Sequence, residues 1–295
     1  MAVFTGAGVA IVTPFKENSD INFDKLDELL EEQIAGGTDS IIVCGTTGES
    51  ATMTEAEHVE AIRFVVERVK GRVPVVAGTG SNCTKTAIYL SVEAEEAGAD
   101  ALLLVSPYYN KATQNGLIAH FTQVAEEVKI PSLLYNIPGR TGIGITAETV
   151  AHLVKNVDNI IGVKEASGDF SHSAHMMSLC DGKLDLYSGN DDQVLPMLSL
   201  GGIGVISVMS NIMPRYMHDM VTHYLSGNVK ESCRMQLDAM KLCRAIAMEV
   251  NPIPVKAAMN MMGKEVGGLR LPLTTMEPQH QAVLKSAMQE LGVLG

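Results

Sequence analysis

The stretch NIIGVKEASGD, residues 159–169, ends an apolar run on a lysine: four of the five residues before Lys164 are isoleucine, glycine or valine. Such a run reads as a strand buried on both faces, the kind found in parallel sheets. A buried ammonium is costly unless it is paired. Two uses for Lys164 stand open at this point: an ion pair with Asp or Glu, or a desolvated amine kept for chemistry.

The same kind of run recurs along the chain. GVAIVTP, SIIVCG, PVVAGTG, ALLLVSP, PSLLYN, IIGVKE, LDLYSG and GVISV make eight candidate strands. Between them FDKLDELLEEQIAGG, TEAEHVEAIRFVVERVKG, TKTAIYLSVEAEEAG and GLIAHFTQVAEEVK carry apolar residues largely at i, i+3, i+4 and i+7, the helical period. Strict alternation of strand and helix implies parallel strands joined by crossover helices. AGGTDSIIV, AGADALLLV and LGGIGVISV repeat one device, a glycine at a helix end followed by a strand. Eight units ending near residue 225 predict an α/β fold of the (β/α)8 TIM barrel type, with a doubly wound open sheet as the alternative. In a barrel, alternation turns Gly162 to the same inward face as Lys164, which predicts space beside the amine. Residues 1–225 are thus expected to form the barrel that carries the active site. Residues 226–295, whose patterns are all helical, form an appended C-terminal helical region for packing on the barrel or for assembly.

Bulk properties narrow the function. A length of 295 residues suits one large barrel. The formal charge of −12, with no basic stripe, argues against a nucleic-acid partner. No uninterrupted apolar run of membrane-spanning length occurs, and the N-terminal MAVFTGAGVAIVTPF reads as a first strand and not a signal peptide. Five scattered cysteines without a C-x-x-C pair suggest reduced thiols and a cytoplasmic setting. His172 and His175 share a helix face but lack a third ligand nearby, so no metal site is expected. GNDDQ reads as a helix cap and GTGSN as a tight turn.

Barrel enzymes place their chemistry just past the strand ends. There stand Thr46 and Thr47, Tyr108 and Tyr109, Tyr135 to Arg140, Lys164, Ser188 to Asn190, and Ile206. A lysine facing into a barrel is desolvated, which disfavours the ammonium, and a neutral amine condenses with carbonyl compounds to a Schiff base that serves as an electron sink. The Gly-rich turn around Thr46 and Thr47 offers backbone N–H groups to a small carboxylate, or is an ordinary loop and cap. The tyrosines are proton shuttles or rim packing. Arg140 is a carboxylate clamp or a solvated side chain.

CGTTGES, SPYYNK, YNIPGRTG, GVKEASGD, YSGND, GGIGVISV and NPIPVK follow one another between residues 44 and 256. In this order they resemble the dihydrodipicolinate synthase family of pyruvate-dependent class I aldolases. The resemblance implies a (β/α)8 barrel and condensation of pyruvate with L-aspartate 4-semialdehyde to 4-hydroxy-tetrahydrodipicolinate, the entry to diaminopimelate and lysine. It implies that Lys164 forms the Schiff base with pyruvate, without any other cofactor, and that Tyr135 moves protons. Thr46 and Tyr109 are implied to complete that relay, the Tyr109 phenol reaching in from a neighbouring subunit of a homotetramer (a dimer of dimers). Thr47 and Ile206 are implied to contact pyruvate, Gly189 to line the pocket, and Arg140 to bind the semialdehyde carboxylate. A sialic-acid lyase or keto-deoxy sugar acid aldolase is the related alternative, and a catalytically silent keto-acid binder the unrelated one.

Many family members are inhibited by lysine between subunits. Ser50, Ala51, His58, Asn82 and Tyr108 match the sensitive pattern, whereas Glu55 and Thr86 replace a His and a Glu of that pattern. A weak or absent response to lysine is the expectation.

Overall fold

The computed structural model describes residues 2–294. Eight parallel strands, β1 (Gly6–Ala10), β2 (Ser40–Val43), β3 (Val75–Gly78), β4 (Ala101–Val105), β5 (Ser132–Asn136), β6 (Ile160–Glu165), β7 (Asp185–Ser188) and β8 (Gly204–Ser207), pair in chain order. Pairing of β8 with β1, Ile206 opposite Gly8, closes the sheet into a barrel and rules out the open doubly wound alternative.

The helices α1 (Phe23–Ala35), α2 (Glu55–Val69), α3 (Thr84–Ala97), α4 (Gln114–Glu126), α5 (Pro138–Thr141), α6 (Ala147–Asn156), α7 (Phe170–Leu179), α8 (Val194–Ser199) and α9 (Pro214–Leu225) lie between and after the strands. Their starts are written in the sequence. Thr54 closes a reciprocal capping box with Glu57, and Thr113, Thr146 and Asp169 cap α4, α6 and α7 with their side chains. Gly98 ends α3 in the left-handed conformation, φ +92°.

Alternation along each strand sorts the core in two. Ala10, Ile42, Val76, Leu103, Leu133, Tyr135, Tyr187 and Ile206 pack inside the barrel. Val9, Ile41, Leu102, Leu134, Val163 and Val205 belong to the layer beneath the helices.

Beyond α9 come α10 (Val229–Ile246), α11 (Ile253–Met261) and α12 (Pro278–Glu290). This C-terminal helical region packs on the barrel: α10 runs against α9 and α12, and Gln236 on α10 donates to the Asp191 carbonyl at 2.9 Å.

One expectation fails. Gly162 does share the inward face of Lys164, but a Cβ there would lie 2.4 Å from the Asp185 carbonyl oxygen and 2.9 Å from Leu133 Cδ2. The glycine admits the neighbouring strands and does not leave space beside the amine. β5 and β6 shift register just there, between Ser132 and Leu133, which leaves Ile161 outside the pairing.

Candidate active site

Lys164 and Tyr135 are paired residues on neighbouring strands, so their side chains rise side by side from the inner wall. Lys164 Nζ lies 4.3 Å from the centre of the Tyr135 ring. Each is 5% exposed, and both open into a cavity of about 320 Å³. Among the described residues the Lys164 amine makes neither a hydrogen bond nor an ion pair, which removes the buried salt bridge as its purpose. Thr47, Arg140 and Gly189 line the same cavity, joined by Asp191, Arg244, Glu249 and Asn251.

Backbone constraints explain several of these placements. Gly189 donates its N–H to the Glu165 carbonyl at 2.7 Å, and a Cβ there would meet Ala166 Cβ at 2.6 Å; only glycine fits between β7 and the end of β6. Arg140 stands on the single turn α5 after Pro138, and its guanidinium donates to the Asn251 carbonyl at 3.1 Å. Thr47 Oγ1 accepts from Asn251 Nδ2 at 2.9 Å. On the outer side of the wall, Asn136 Nδ2 donates to Glu165 Oε2 at 2.8 Å, tying together the residues that follow Tyr135 and Lys164.

Other expected residues fall elsewhere. Ile206 is wholly buried among the barrel-interior side chains and is not on the cavity lining. Thr46 lines a second cavity of about 500 Å³, which shares Arg140 and Asn251 with the first. Tyr109, φ +75°, is 89% exposed, and no hydrogen bond links its phenol to Tyr135 or Thr46 among the described residues. Within one chain, therefore, Tyr109 stands apart from the other two members of the expected proton relay.

The second cavity gathers Ser50, Ala51, His58 and Tyr108, together with Glu55 and Thr86. Thr86 Oγ1 donates to Glu55 Oε1 at 3.1 Å. His58 is buried with Nε2 2.7 Å from the Gly78 carbonyl oxygen, and burial holds its pKa below the ordinary histidine value. Asn82 is off the lining; its carbonyl accepts from Asn110 Nδ2 at 2.9 Å.

Two residues escaped the sequence reading. Asp191, read as a helix cap, instead turns Oδ2 to the backbone N–H groups of Val208 at 3.1 Å and Met209 at 2.9 Å, while Oδ1 is buried without a partner. Burial pushes its carboxyl up from the usual range, and hydrogen bonds from Ser207 and this backbone, with the charge of Lys164, oppose that. Asn251 enters the sequence analysis only as the first residue of NPIPVK. Its signal was the polar side chain in NPIPVK, which becomes informative once the chain is known to return to the barrel mouth.

No group of three or more His, Cys, Asp or Glu among the described residues is arranged to hold a metal ion. All five cysteines are free.

The dihydrodipicolinate synthetase family profile matches residues 3–291. A 4-hydroxy-tetrahydrodipicolinate synthase of Lachnoclostridium phytofermentans is 58% identical over the whole of both chains. The solved structure of a dihydrodipicolinate synthase from Cyanidioschyzon merolae with lysine bound is 41% identical, covers all of both chains and superposes with a TM-score of 0.97. A structure of a monomeric dihydrodipicolinate synthase variant is 39% identical, covers 99% of this chain and 98% of its own, and has a TM-score of 0.96. The chain, with its unpaired lysine beside a tyrosine on the inner wall of an eight-stranded barrel, belongs to the dihydrodipicolinate synthetase family.

Proposed function

We propose that this protein condenses pyruvate with L-aspartate 4-semialdehyde to 4-hydroxy-tetrahydrodipicolinate, the first committed step towards diaminopimelate and lysine, through a Schiff base on Lys164. The observation that carries the reading is the Lys164 amine itself: buried, without an anion partner, and open to a cavity beside a phenol. The amine attacks the keto carbon of pyruvate and water leaves. Loss of a methyl proton then gives an enamine, whose carbon attacks the semialdehyde aldehyde group. Displacement of Lys164 by the substrate's own amine closes the ring and returns the free lysine.

Tyr135 is read as the group that gives and takes protons, with Thr46 and the Tyr109 of a neighbouring subunit completing the relay. An exposed aromatic ring on a left-handed backbone just past β4 suits a contact with a second subunit, and the assembly is read as a homotetramer built as a dimer of dimers. Thr47 and Gly189 border the bound pyruvate, Ile206 backs it from the barrel interior, and Arg140 grips the semialdehyde carboxylate. Residues 1–225 carry this chemistry, and residues 226–295 support it. A cytoplasmic setting agrees with the free thiols, and no helix of the described residues is long and apolar enough to cross a membrane.

Borohydride reduction in the presence of pyruvate tests the reading. A stable mass increment is expected on the peptide containing Lys164 and none in Lys164→Ala. An unmodified Lys164 would overturn the mechanism, and cleavage of a sialic acid would overturn the substrate assignment.

The second cavity is read as a lysine site with weakened or no response. Ser50, Ala51, His58, Asn82 and Tyr108 retain the sensitive pattern, but Glu55 and Thr86 spend hydrogen-bonding capacity on each other. An inhibition curve with lysine at saturating pyruvate is expected to show little effect; potent inhibition refutes this part.

A further inference from the structure

The turn of residues 45–49, which presents Thr46 and Thr47, is held by parts of the chain far from it. Glu49 adopts the left-handed conformation, φ +57°, and its side chain is completely buried. Oε1 accepts from Lys256 Nζ at 2.8 Å, and Oε2 accepts from the Arg270 backbone N–H at 3.1 Å. Lys256, 1% exposed, also donates to the Thr13 carbonyl at 3.0 Å and stands 4.3 Å over the centre of the Phe15 ring. Thr13 in turn donates from Oγ1 to the Gly48 carbonyl at 2.7 Å. Within the turn, the Gly48 and Glu49 N–H groups donate to the carbonyls of Gly45 and Thr46.

A fully buried ion pair is a poor way to gain stability, since apolar side chains of similar volume do as well or better. It is a good way to fix direction. Hydrogen bonds from two sides determine where the Glu49 carboxylate points, and a left-handed residue persists only where its surroundings over-determine it.

We propose that Lys256 is a positioning residue for the active site: acting through Glu49, it sets the turn of residues 45–49 and with it the places of Thr46 and Thr47 at the two adjoining cavities. The inference rests on the reading of Lys164, Thr46 and Thr47 as active-site groups. It gives the C-terminal helical region a part in catalysis besides packing. Lys256 and Glu49 touch no substrate; their effect passes through the geometry of the turn, where a misplacement of about 1 Å costs about 100-fold in rate.

The full-length protein decides the question in two variants. Glu49→Gln/Lys256→Met removes both charges together, so neither is left stranded, and Glu49→Asp keeps the charge but shortens its reach. For each, three readings are taken: the circular-dichroism melt, borohydride capture of pyruvate on Lys164, and kcat and KM for both substrates. Each variant is expected to fold and to capture pyruvate as the wild type does, while kcat falls by about 100-fold and KM changes little. Exchange of the pyruvate methyl protons into deuterated water, which reports Schiff-base formation and proton transfer without the second substrate, is expected to slow in parallel. A folded variant turning over within about threefold of wild type overturns the proposal. Failure of both variants to fold assigns the pair to barrel stability and overturns it too. Absence of capture in the wild type instead condemns the Schiff-base reading, an outcome distinct from either.

Discussion

Two buried lysines, Lys164 and Lys256, solve the same desolvation problem in opposite ways. Lys256 has an anion and a carbonyl as acceptors, at 2.8 and 3.0 Å, and an aromatic ring beneath it. Its pKa is lowered, mainly by burial, with the charge of Glu49 pulling the other way. Lys164 is nearly as buried and also lies by an aromatic ring, but it has no acceptor and opens onto a cavity. Depth of burial therefore does not separate a structural lysine from a candidate nucleophile. The difference lies in what the amine faces: a committed carboxylate at one site, a cavity of about 320 Å³ at the other.

The sharpest way to break this comparison is to remove each lysine in turn. Lys164→Ala deletes an amine that no hydrogen bond or ion pair of the described residues uses, so stability is expected to stay within about 1 kcal/mol in denaturant unfolding. Turnover is expected to fall on the order of 10⁴-fold or more. Lys256→Ala leaves the Glu49 carboxylate buried without its counter-charge, and a loss of about 3–5 kcal/mol is expected. If Lys164→Ala is the more destabilised of the two, the contrast between them is wrong.

A second experiment asks what the ring beside Lys164 contributes. Tyr135→Phe keeps the ring beside the amine and removes only the phenol. Capture of pyruvate by borohydride should persist, and kcat should drop by about 10²–10³-fold, the usual worth of a positioned proton donor and acceptor. Equal loss of capture and turnover would mean that Tyr135 is needed to build the site and is not a proton carrier.

Much of this was legible in the chain. Every strand was marked by its apolar run, and the run 160–165 coincides with β6. Lys164 stood out because strands buried on both faces tolerate no free charge. Lys256 did not stand out, for a physical reason: it lies in a helical period, where a lysine among apolar residues reads as solvated, and its carboxylate partner is 207 residues away. Asp191 was hidden similarly, since its nearest partners include backbone N–H groups just past β8, which carry no sequence signature. Gly162 misled because alternation tells which face a residue takes but not what the neighbouring strand has already filled. The intersubunit role of Tyr109 came from family resemblance, and a single chain leaves its ring in solvent.

The smallest effect concerns the clamp behind Lys256. Arg270, whose backbone N–H holds Glu49, stands 4.5 Å over the Phe15 ring and grips Glu57 and the Thr52 carbonyl with its guanidinium. That grip, with help from Thr54, holds the Glu57 carboxyl at about 2, against an ordinary value of 4.5. A carboxylate depressed in the folded state binds fewer protons there than in the unfolded chain. The stabilisation is thus complete above about pH 4.5 and is lost as pH falls towards 2. Glu57 is partly open to water, 29% by side chain, so screening leaves about 1–2 kcal/mol of the full linkage. Unfolding free energies measured between pH 5 and pH 2.5 should fall more steeply in the wild type than in Glu57→Gln, by about that amount. An identical acid slope in the two proteins would show that Arg270 does not hold Glu57 in solution, and the Lys256 side would then rest on Glu49 alone.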